Sequence, residues 1–233
     1  MSSLIEVKNL SKSYGAHKVL EDISFEFEEG QIIGLLGPNG CGKTSLIKIL
    51  TGLINDYSGK VKINGDNIGP KTKNIIAYLP EKSYLADWMR PVDAINYIAD
   101  FYKDFDKAKA MKMLEIFQLP PKQKIKSMSK GMQEKLSLLL VMCRNAKLYL
   151  LDEPLGGVDP AARAFILDTI IKNHPAGSTM LFSTHLIYDV EPILDTALMI
   201  GQGKVLVNAK TADIRKDGKT VEDVFKEVFR YAW

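Results

Sequence analysis

A chain of 233 residues with 46% hydrophobic and 25% charged residues has ordinary globular composition and suits one large domain, or one with an insertion. Its 31 basic and 28 acidic residues leave a net charge of only +3, too weak and dispersed to point to nucleic acid. No run of about 18 apolar residues offers a membrane span, the start MSSLIEVKNL does not read as a signal peptide, and two cysteines make neither a disulfide framework nor a metal cluster, which fits a reducing, cytoplasmic setting.

In chain order, LIEVKN (4–9) and ISFEF (23–27) alternate apolar and polar residues, as half-buried antiparallel strands do. IIGLL (32–36) is continuously apolar and is followed by the helical spacing of TSLIKILTGLI (44–54). KVKIN (60–64) alternates again. Residues 84–144 read almost wholly as helix, with a break at Pro120-Pro121, and are expected to form an inserted helical subdomain within a single domain spanning 1–233. Then LYLLD (148–152), TMLFST (179–184) and TALMI (196–200) repeat the buried-strand pattern. The helical segments AARAFILDTIIKN (161–173) and LIYDVEPIL (186–194) lie between them. The tail VEDVFKEVFRYAW (221–233) reads as an amphipathic helix packed on the core. Strand-then-helix repetition predicts an α/β core with a parallel sheet, beside an antiparallel N-terminal β layer.

GPNGCGKT (37–44) satisfies G-x-x-x-x-G-K-[ST] between a strand and a helix, where such a loop cradles phosphate. Gly37, Gly40 and Gly42 let backbone N–H groups approach phosphate oxygens, and the helix adds its positive end. Lys43 would reach the β- and γ-phosphates, and the Thr44 hydroxyl would ligate Mg²⁺. A helix N-terminus and a neighbouring lysine both favour thiolate at Cys41, which opens a redox-sensing reading beside the plain one of a small residue that fits. Asp152 ends a buried strand, where a carboxylate can hold Mg²⁺, and Glu153 is the candidate to polarise an attacking water.

The order of motifs resembles the ATP-binding subunit of an ABC transporter across nearly the whole chain. Tyr14 in SKSYGAHKVL matches the aromatic residue that stacks on adenine. GPNGCGKT matches Walker A, whose ATP-binding set here is Gly37, Pro38, Asn39, Gly40, Cys41, Gly42, Lys43, Thr44 and Ser45. In IIAYLPEKSYL (75–85), Glu81 stands where most members carry glutamine, as a further metal candidate beside Thr44 and Asp152. SKGMQ falls at the LSGGQ signature and keeps Ser129 and Gly131, with Met128, Lys130 and Met132 as departures from its Leu, Gly and Gln. LYLLDEP matches Walker B, GGVDP (156–160) the D-loop with Asp159, and STHL places His185 at the switch histidine.

The resemblance implies a P-loop NTPase fold that binds ATP and Mg²⁺. It implies pairing with a second nucleotide-binding domain, as homodimer or heterodimer, so that Ser129, Lys130 and Gly131 address the partner's ATP. It also implies a multi-span membrane subunit, a place on the inner face of the cell membrane, and no direct contact with nucleic acid. Glu153 and His185 would be catalytic. SKGM-type signatures resemble the exporter branch of the family, and Tyr84, Leu85, Trp88 and Met89 suit either a dock for a membrane subunit or an ordinary core of the helical subdomain, which apolar clustering alone does not separate. A sensor ATPase in a membrane complex and a soluble ATPase acting on ribosomes are the alternatives.

Overall fold

The computed structural model describes residues 3–156 and 158–230. Two long strands, β1 (Ser3–Tyr14) and β2 (His17–Glu28), form a hairpin, followed by β3 (Ile32–Leu36) and α1 (Lys43–Leu50). Next come β4 (Ser58–Ile63), β5 (Asp66–Asn67), α2 (Pro70–Asn74) and β6 (Ile76–Leu79). Three helices succeed them: α3 (Pro91–Phe101), α4 (Lys107–Ile116) and α5 (Lys130–Met142). The chain then returns to the sheet through β7 (Leu148–Asp152), α6 (Pro160–Asn173), β8 (Thr179–Thr184), α7 (Ile187–Val190) and β9 (Thr196–Gly201). It closes with β10 (Lys204–Lys210), α8 (Thr211–Lys216) and α9 (Val221–Val228).

The strands make two sheets. An antiparallel one runs β2-β1-β4-β5, and a six-stranded one runs β10-β9-β3-β8-β7-β6. In the second, β9, β3, β8, β7 and β6 are mutually parallel, and β10 pairs antiparallel with β9 at the edge. This is the expected α/β core with an antiparallel layer beside it. Every residue of β7, β8 and β9 is buried, which is why their sequences lack alternation.

One core lies between the sheets, where Leu46, Ile47, Ile49 and Leu50 of α1 meet Ile5, Val7, Phe25 and Ile63. A second lies on the other face of the six-stranded sheet and receives Val221 and Phe229 from the C-terminal helix and the residue after it. A third is built by α3, α4 and α5, from Met89 to Cys143. Arg144 ties that helical body to the sheet. Its guanidinium donates to both Asp104 carboxylate oxygens at 2.8 and 2.9 Å, to Ile76 O at 3.1 Å and to Asn74 O at 2.8 Å, and it lies over the Tyr102 ring at 3.6 Å.

Some expectations are corrected. Residues 84–90 and 117–129 are not α-helical apart from a 3-10 turn at Ile125–Ser127. Pro91 is one cause: it holds Arg90 extended, so α3 begins there, with Asp93 Oδ2 accepting from the Arg90 N–H at 3.0 Å. LIYDVEPIL breaks into α7 and a 3-10 turn at Glu191–Ile193, because Pro192 offers no N–H. Strand β10 is an addition to the sequence reading. The tail helix stops at Val228, and the expected helical residues 231–233 lie outside the described ones.

Candidate functional site

Parallel register brings the site together. Leu36, last of β3, pairs with Thr184 of β8, and Asp152, last of β7, pairs with Ser183. The loops leaving β3, β7 and β8 therefore open on one side of the sheet, where ligands bind in open α/β folds. The loop after β3 is closely packed. A Cβ on Gly37 would collide with Ile200 O and sit 2.6 Å from Cys41 Sγ. Gly42 has φ +106°, and its Cβ would lie 2.5 Å from Leu20 Cδ2 and 2.8 Å from Val19 O. Glycine is required at both positions.

At the start of α1, Lys43 is 5% exposed, and its ammonium donates to Gly37 O at 2.8 Å and Pro38 O at 3.1 Å. The same nitrogen stands 3.4 Å from Glu153 Oε1, an ion pair without hydrogen-bond geometry. Glu153 Oε2 lies 3.0 Å from His185 Nδ1. Glu153 itself is left-handed, with φ +48°, and its N–H points to both Ser183 Oγ (2.9 Å) and Ser183 O (3.1 Å).

Asp152 is almost fully buried. Its Oδ1 accepts from Ser183 Oγ at 2.7 Å and Thr44 Oγ1 at 3.2 Å, while Oδ2 is buried with no hydrogen-bond partner among the described residues. Burial raises its pKa above the usual carboxylate range, the two hydroxyls pull it back, and the charges of Glu81 and Glu153 push it further up. A cation would relieve that burial. The fit to Mg²⁺ is good: an orphaned carboxylate oxygen, a hydroxyl and a nearby second carboxylate, all hard oxygen donors. Among the described residues no trio of His, Cys, Asp or Glu side chains converges on a metal position.

Asn39, Gly40, Gly42, Lys43, Thr44, Ser45, Glu81, Lys130, Glu153 and His185 border one cavity of about 940 Å³. Glu81 is exposed after β6. Tyr14, Ser129, Gly131 and Asp159 are not among its lining residues. Tyr14 is half exposed at the end of β1, with the Lys12 ammonium 4.7 Å from its ring centroid. Ser129 caps α5 by accepting from the Met132 N–H at 3.3 Å, and Lys130 pairs with Glu134 at 3.7 Å. No atom approaches a Cβ on Gly131 within 4 Å. Asp159 is exposed just before α6, and Gly157 of the same segment lies outside the described residues.

Two sequence expectations change. Cys41 is buried in the core between the sheets, and burial pushes its thiol pKa up against the pull of Lys43, so the thiolate reading is withdrawn. Met89 is 8% exposed inside the helical core and Leu85 packs partly against that core, whereas Trp88 stands out in solvent and Tyr84 is half exposed, with burial pushing its phenol pKa up to about 12. Sequence reasoning missed Ser183, whose only signal is a hydroxyl near the end of an apolar strand.

The fold and this convergence define a phosphate-loop nucleotide-binding protein. Comparison with known proteins narrows the class: the chain belongs to the ABC transporter ATP-binding family, whose model, ABC transporter, matches residues 20–156. It is 34% identical over 220 residues to an uncharacterized ABC transporter ATP-binding protein of Methanocaldococcus jannaschii, covering 92% of this chain and 80% of that one. It is 29% identical over 228 residues to the linearmycin resistance ATP-binding protein LnrL of Bacillus subtilis, covering 94% and 73%. A solved ATP binding subunit of an ABC transporter superposes with a TM-score of 0.86 at 29% identity, covering 97% of this chain and 99% of that one. No helix among the described residues is long and apolar enough to cross a membrane.

Proposed function

We propose that the protein hydrolyses ATP at this site and couples hydrolysis to export through a separate membrane subunit. The observation that carries the reading is the Glu153 carboxylate, held between Lys43 Nζ at 3.4 Å and His185 Nδ1 at 3.0 Å at the mouth of the phosphate loop. A carboxylate so fixed can take a proton from a water aligned with a γ-phosphate. Backbone N–H groups of the loop from Gly37 to Thr44, Pro38 excepted, bind the phosphates, and Lys43 exchanges its loop carbonyls for phosphate oxygens. Thr44, Asp152 and Glu81 would hold Mg²⁺, which supplies charge neutralisation on the phosphates. His185 keeps Glu153 aimed. Tyr14 offers a face for the adenine ring.

Two such domains pair so that Ser129, Lys130 and Gly131 of one complete the ATP site of the other, with Asp159 at the seam. Binding closes the pair and hydrolysis reopens it, which moves a membrane subunit docked near Tyr84 and Trp88 on the inner face of the membrane. Export is supported by likeness to a resistance protein's ATP-binding subunit. The test is purification of the intact complex. Recovery with a multi-span membrane protein and Mg²⁺-dependent phosphate release, absent in Glu153→Gln, are expected. Recovery with ribosomes alone overturns the reading.

A further inference from the structure

We propose that Ser183 is a positioning residue of the ATP site, fixing both the Asp152 carboxylate and the turn that aims Glu153. The proposal rests on the reading that Asp152 serves a divalent cation beside ATP. Ser183 is fully buried, directly opposite Asp152 in the β7–β8 register. Its single proton goes to Asp152 Oδ1 at 2.7 Å, and its oxygen accepts from the Glu153 N–H at 2.9 Å. One hydroxyl thus spans both acidic residues.

The consequences differ for the two carboxylates. With Ser183 and Thr44 both donating to Oδ1, the carboxylate torsion is set, and the buried oxygen left for a cation is Oδ2. Partners one shell out fix ligand orientation in this way in metal sites generally. At Glu153 the left-handed φ of +48° is unfavourable for a side-chain-bearing residue and persists only where neighbours over-determine it. Ser183 supplies two of those restraints, through its hydroxyl and its carbonyl. Alanine keeps the carbonyl and loses the hydroxyl.

The experiment compares wild type, Ser183→Ala and Ser183→Cys, the last being near-isosteric with a weaker donor. Mn²⁺ affinity is read by paramagnetic resonance with a non-hydrolysable ATP analogue bound, and analogue affinity is read separately in EDTA. Ser183→Ala is expected to weaken Mn²⁺ by about tenfold while analogue affinity in EDTA stays within about twofold, with Ser183→Cys between. The Ala variant should also lower kcat more than it changes KM, since Glu153 loses its aim. Equal Mn²⁺ affinity in wild type and Ser183→Ala overturns the proposal alone. Equal losses with and without cation also overturn it, because a structural role would give that result. Absence of Mn²⁺ binding in wild type overturns the cation reading and the proposal with it. If the Ala variant does not fold, Ser183→Cys carries the same comparison.

Discussion

His185 Nδ1 stands 3.0 Å from Glu153 Oε2, joining the end of β8 to the end of β7 across the mouth of the phosphate loop. With the proton on Nδ1, the ring donates to the carboxylate. The other carboxylate oxygen meets Lys43 at 3.4 Å. Glu153 is therefore clamped from two sides.

That clamp separates binding from turnover. Glu153→Gln should bind an ATP analogue with wild-type affinity while turnover falls by at least about 10²-fold, the usual worth of a general base. His185→Ala should lower kcat by about 10²-fold through loss of aim. Phosphate release and analogue titration on the same preparations check both. Normal turnover in Glu153→Gln would remove Glu153 as the base.

Arg144 should matter to stability rather than to chemistry. It is buried, yet satisfies one carboxylate and two backbone carbonyls and stacks on Tyr102. Arg144→Ala strips all of these at once and should cost about 3 kcal/mol, the scale for breaking a buried pair. Thermal unfolding should move down by about 6–12 °C. Arg144→Lys should recover little, because an ammonium cannot reproduce the planar fork. A Tm within about 1 °C of wild type for Arg144→Ala would contradict this.

The phosphate loop was legible because its chemistry is backbone chemistry, and backbone demands appear as glycines at fixed spacing. Strands β3, β7 and β8 were legible because burial on both faces leaves unbroken apolar runs. What escaped depends on neighbours distant in sequence. Ser183 matters only because register sets it opposite Asp152. Cys41 looked activated from its local sequence, but the packed core around it decides its ionisation. Edge strand β10 alternates half-buried and exposed residues, a weak pattern with no chemistry attached.

Trp88 and Met89 are adjacent in sequence and opposite in role. Met89 lies in the helical core, and its carbonyl accepts from the Ile125 N–H at 2.9 Å. Met89→Ala should cost about 2–4 kcal/mol, as large-to-small core changes do. Trp88 is 70% exposed, so Trp88→Ala should stay within about 0.5 kcal/mol. Urea unfolding of the two variants decides between them, and equal losses would contradict the division of this segment into core and surface.

His174 is expected to make stability fall on the acid side of neutrality. Its Nε2 is buried without a hydrogen-bond partner among the described residues, and its ring stands edge-on to Tyr149 at 5.9 Å between centroids. Burial lowers its pKa below the ordinary 6.5, opposed by a hydrogen bond with the backbone at Ser178 and by the charge of Asp195. The unfolded chain therefore binds this proton more readily than the folded one. Folding stability falls as pH drops from about 6.5 towards the lowered folded-state value, and this residue adds no further slope below that. His174→Phe keeps an aromatic ring against Tyr149 and cannot be protonated. Its stability relative to wild type should rise as pH falls from about 7 to 5, measured by denaturant midpoints at each pH. Parallel pH profiles for the two proteins would show that His174 does not carry the slope.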